Sequence, residues 1–102
     1  MPGEVDAEGY LVDPADWTEE WAVATAKAEH VDLTPEHWIV IRFMRAFLEL
    51  HQVAPDARFV IRHLSETGGA RRNRLFELFP YGYAGQACRI AGMRRPRAWS
   101  TG

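Results

Sequence analysis

A chain of 102 residues, 47% hydrophobic and 12% aromatic, can build one apolar core and hence one domain. The charged share of 25% excludes a chain that is disordered throughout. No run approaches the roughly 20 apolar residues of a membrane span, and the N-terminus lacks the basic-then-apolar layout of a secretory signal. With one cysteine there is no internal disulfide, so a soluble cytoplasmic protein with no membrane partner is expected.

The net charge of −2 conceals an asymmetry. Residues 1–70 carry five Lys/Arg against thirteen Asp/Glu, whereas residues 71–102 carry seven Arg against Glu77 alone. Such a basic end can attract nucleic acid or an acidic protein surface. It can equally neutralise the acidic half, within the fold or across a homodimer, and the oligomeric state is left open.

In chain order, residues 4–13 read as a short extended element that turns at Gly9 and is closed by Pro14. Thr18 is suited to N-cap a first helix over 18–30, with Glu19 and Glu20 at the positive end of its dipole. The second helix, 34–51, has Thr34 as cap and Pro35 at its first position. There Val40, Phe43, Met44, Phe47 and Leu48 mark a buried stripe, and Arg42, Arg45, Glu49 and Gln52 a polar face. A third helix is expected from Pro55 to Gly68 and Gly69, a fourth over 70–79 until Pro80 and Gly82 break it. The fifth, 83–91, carries Cys88 and has Gly92 as its natural C-cap. Pro96 forbids helix beyond it, so residues 93–102 are expected to form a flexible basic arm. The predicted architecture is mainly α: a strand element over 1–13, a small helical bundle over 14–92 and the arm, in a single domain.

Three segments carry a resemblance. They are Asp6-Ala7-Glu8-Gly9-Tyr10-Leu11 followed by Trp17, then Leu33-Thr34-Pro35-Glu36-His37-Trp38, then Leu78-Phe79-Pro80 with Gly82 and Gln86-Ala87-Cys88-Arg89-Ile90-Ala91-Gly92. In this order they resemble the DsrC/TusE sulfur-relay family. The resemblance implies an α+β variant of the helical fold, with a small N-terminal β-hairpin, and an arm whose next-to-last residue is a sulfur-carrying cysteine. It also implies partners among sulfur-relay proteins of tRNA thiolation or a sulfite-reductase-type complex. Continuing from Gly92 through Pro96, the arm-cysteine position falls on Trp99, and Cys88 stands at the family's second cysteine position.

These residues support two expectations. Cys88 is the candidate persulfide site of a divergent carrier, its thiolate favoured by neighbouring Arg89, Arg94 and Arg95. Alternatively the chain is a non-catalytic regulator that docks on relay or sulfite-reductase partners. In either case Arg94, Arg95, Arg97 and Trp99 are the expected partner contacts, residue types favoured at interface hot spots. The activity is at most that of a sulfur carrier, with no cofactor. His30, His37, His51 and His63 lack metal-ligand spacing, so no metal is expected, and His37 reads as a capping or packing residue. A third reading is a nucleic-acid-binding helix-turn-helix built from the third and fourth helices, with Arg71, Arg72 and Arg74 on phosphates.

Overall fold

The computed structural model describes residues 4–69, 71 and 73–94. The chain enters through a tight loop in which the Asp6 carboxylate accepts the N–H groups of Glu8 and Tyr10 at 2.9 and 3.0 Å. Gly9 turns this loop at φ 90°, a value that side-chain-bearing residues avoid. Its two sides meet in one isolated antiparallel bridge, Val5 with Leu11. This corrects the expected strand element and β-hairpin: among the described residues there is no strand, and the fold is helical rather than α+β. The ladder stops because Asp13 caps a 3₁₀ turn, Pro14–Asp16, directly after the Val12 N–H reaches the Glu4 carbonyl. The backbone bends away before a second pair of residues can align.

Helix α1 is Glu19–Ala28, and the Thr18 hydroxyl accepts the Trp21 N–H at 3.0 Å as the sequence predicts. Helix α2, Pro35–His51, is the longest, with proline in its first turn. Helix α3 is Ala57–Gly68 and starts after Pro55, because the Asp56 carboxylate is its cap and accepts the Arg58 N–H at 2.9 Å. Helix α4 is only Arg74–Leu78, shorter than the 70–79 expected. Phe79, at φ −126° and ψ 81°, has already left the helical region, as a residue preceding proline tends to do. After Gly82 the chain winds into a π-helical turn, Tyr83–Ala87, and then α5, Cys88–Ile90.

The core lies where α2 crosses the later elements. Val40, Ile41 and Met44 are fully buried against Val60 of α3, Phe79 after α4, and Tyr83 and Ile90 of the last helical segment. Burying each such side chain contributes about 1.5–3 kcal/mol. Phe43 and Phe47 of the predicted stripe sit at its edge, half-buried, and stack on His63 and Phe59.

His37 ties the start of α2 to the end of α4. Its Nδ1 accepts the Thr34 N–H at 3.0 Å, closing a reciprocal capping box, so Nε2 carries the proton and donates to the Leu78 carbonyl at 2.8 Å. The ring also meets Phe79 edge-on, with centroids 5.1 Å apart. Burial pushes the imidazole pKa below its ordinary value. A group whose folded pKa is depressed protects the fold above its unfolded pKa, about 6.5 for histidine. Stability is therefore expected to fall as pH drops below that value. Melting temperatures between pH 7.5 and 5 should show this decline, and His37→Gln should flatten it.

Candidate functional site

The sole cysteine of the chain is held by the π-helical turn. The wider winding lets the Cys88 N–H bond to the Tyr83 carbonyl five residues back, which brings the Tyr83 side chain alongside the thiol. The Tyr83 hydroxyl donates its proton to the Pro55 carbonyl, and the tyrosine itself is buried. Cys88 has no solvent exposure. Burial pushes its thiol up to about 12, and the contact with Tyr83 opposes that rise only in part.

The expected activation by arginines is not what the geometry provides. The Arg89 guanidinium turns to the Glu29 carboxylate and lies over the Tyr10 ring, 5.2 Å from its centroid. Glu29 also accepts from the buried Gln86 at 3.2 Å, so this arginine belongs to a structural network between α1 and the last helical segment. Arg94 is exposed. Arg95, Arg97 and Trp99 lie outside the described residues.

The point where the expected arm leaves the helical body is built in detail. Gly92, at φ 77°, ends α5 in a Schellman motif: its N–H bonds to the Arg89 carbonyl and the Met93 N–H to the Cys88 carbonyl. The carbonyls of this last turn also receive side chains. Trp21 Nε1 donates to Arg89 O at 3.2 Å and Trp17 Nε1 to Ile90 O at 3.0 Å. Arg45 Nη1 reaches Ala91 O at 3.1 Å and Gly92 O at 3.4 Å, while its Nη2 reaches Pro14 O at 3.0 Å. The guanidinium lies over the Trp17 ring at 4.6 Å, and its partial burial lowers its pKa. Sequence periodicity had placed Arg45 on the polar face of α2. What it cannot show is that the face points at a helix end whose carbonyls need donors.

Of the basic residues proposed for nucleic acid, Arg74 is taken up by Glu36 and Glu77 and Arg71 is exposed. Arg72 lies outside the described residues. Among the described residues no group of three His, Cys, Asp or Glu could hold a metal ion, and no helix is long and apolar enough to cross a membrane. The three segments that carried the resemblance converge in space. The first and third meet through the Tyr10 hydroxyl, which donates to Ala84 O at 2.9 Å, and through Trp17; the second and third meet through His37 and Leu78.

Comparison with known proteins agrees with this convergence. The family described as "DsrC like protein" matches residues 2–98. Sulfurtransferase TusE of Photorhabdus laumondii is 40% identical over 96 residues, covering 91% of this chain and 86% of that protein. Its Escherichia coli K12 counterpart is 38% identical, with 91% and 88% covered. In structure, the oxidized gamma-subunit of dissimilatory sulfite reductase (DsrC) of Archaeoglobus fulgidus superposes with a TM-score of 0.86 at 35% identity, covering 94% of this chain and 90% of that one. DsrC of Allochromatium vinosum gives 0.78 at 38% identity, over 93% and 88%. Motifs, fold and relatives agree: this chain belongs to the DsrC/TusE family of sulfur-relay proteins.

Proposed function

We propose that this chain acts in sulfur relay as a docking member, meeting the family's partners without itself carrying sulfur. The observation that supports this most is the burial of its sole thiol: Cys88 has no solvent exposure, and burial pushes its pKa up, while sulfur exchange requires an accessible thiolate. The partners are those of TusE-type transferases or a sulfite-reductase assembly, the setting named for the relatives in which DsrC is the gamma-subunit. On this reading the chain works in the cytoplasm, where a single cysteine stays reduced. Its contacts are Arg94, Arg95, Arg97 and Trp99, with the indole as an anchor in place of a covalent handover.

A competition assay tests this. Added in excess to sulfur transfer run by Escherichia coli Sulfurtransferase TusE, the chain is expected to slow transfer saturably, and Trp99→Ala to weaken the effect roughly tenfold, the loss of one interface anchor. Transfer that is unaffected at every concentration would remove the docking reading.

A further inference from the structure

We propose that Arg45, Trp17 and Trp21 form a latch that fixes the direction in which the segment after Gly92 leaves the helical body. The proposal rests on the reading that this segment meets the partner. Four consecutive carbonyls, those of Arg89, Ile90, Ala91 and Gly92, accept from just these three side chains. Carbonyls at a helix end are usually left to water or to backbone turns, and they carry the negative end of the helix dipole. Here a planar cation forks across two of them and one indole takes each of the others, which sets the peptide planes individually.

The donors come from well-separated parts of the chain. Trp17 precedes α1, Trp21 lies in its first turn and Arg45 lies in the middle of α2. Arg45 also bonds Pro14, so the 3₁₀ turn, α2 and the end of α5 are joined at one guanidinium. Trp17 presses on Gly92 so closely that a Cβ there would stand 2.7 Å from its Cγ. Met93, one residue further on, is still buried, and Arg94 is the first exposed residue of the exit. The Schellman bonds reach only the Cys88 and Arg89 carbonyls, so those of Ile90, Ala91 and Gly92 depend on the side-chain donors. The added donors resist rotation of the peptides that set the exit direction. Fixed peptides at Gly92 and Met93 set the direction in which Arg94 leaves the body, so less orientational freedom remains to be lost on binding a partner.

Amide hydrogen exchange by NMR on the full chain tests the latch without any partner. In Arg45→Gln and Trp17→Phe, the hydrogen-bonded amides of Gly92 and Met93 are expected to exchange about tenfold faster or more, the effect of weakening one such hydrogen bond. Ile41 and Met44 in the core of α2 should stay within about twofold of the unsubstituted chain. Trp21→Phe, which removes a single 3.2 Å bond and leaves a smaller aromatic ring in its place, serves if the other variants fold poorly. Uniform acceleration across the molecule, or none at the exit, would overturn the latch.

The competition assay then reads its consequence. Folded latch variants should compete with TusE roughly tenfold less well, in proportion to the freed exit. Competition undiminished in a variant whose exit amides have been released would overturn the positioning role. If the unsubstituted chain does not compete at all while the exchange pattern holds, the docking reading fails and the latch stands as a property of the fold.

Discussion

Gly92→Ala is expected to lower the melting temperature by roughly 10 °C or more. Two costs add. The residue sits at φ 77°, where a Cβ costs about 1–2 kcal/mol in L-residues. That Cβ would also stand 2.8 Å from Trp17 Cβ and closer to the indole ring, so Trp17 has to move. Forced repacking of this kind costs about 1–3 kcal/mol. Displacing Trp17 also disturbs its bond to Ile90 and the Arg45 guanidinium above it. At about 4–8 °C per kcal/mol for a domain near this size, the sum exceeds any surface substitution. Gly68→Ala is the control: its φ is not positive and a Cβ there meets nothing within 4 Å, so its melting temperature should stay level or rise slightly. Thermal unfolding followed by circular dichroism compares the three proteins directly.

The second large effect concerns Cys88, which is expected to load sulfane sulfur far more slowly in the folded chain than when unfolded, by roughly a hundredfold or more. Burial pushes the thiol up to about 12, so thiolate is scarce near neutral pH. Access adds to this, since the side chain has no solvent exposure and its hydroxyl neighbour Tyr83 is also buried. Reaction then waits for local opening of the last helical segment, with the rate set by that opening. Cys88 thus behaves as a small core residue that fills space between Tyr83 and the alanines around it.

Much of the fold was legible because helix ends are written in local chemistry. Thr18, Thr34 with Pro35, and Gly92 each mark a terminus that the backbone requires, and each acts there as read. The family was legible because its motif residues include ones that bridge elements here, such as Tyr10, Trp17 and His37. The hairpin was not legible as a mere bridge, because an apolar run beside a turn residue does not show whether a following cap cuts the ladder short. Arg45 and Arg89 were legible only as charges, Arg45 by its face of α2 and Arg89 by its place beside Cys88. Periodicity assigns a charge to a helix face but is blind to the carbonyls or carboxylates facing it. The state of Cys88 depended on this, since the arginine expected to activate it turns to Glu29. Its burial also needed the π-helical turn, which no local sequence signal announced.

The most direct test of a docking protein that carries no sulfur is the intact mass of the folded chain after incubation with a sulfane-sulfur donor. It is run with and without reductant, beside Cys88→Ser and beside Escherichia coli Sulfurtransferase TusE under loading conditions. The expected result is an unchanged mass for the folded chain, loading of TusE, and a gain of one sulfur on this chain only after unfolding in denaturant. A reducible gain of one sulfur atom on the folded chain, absent in Cys88→Ser, would contradict the account and make Cys88 the working thiol of a carrier.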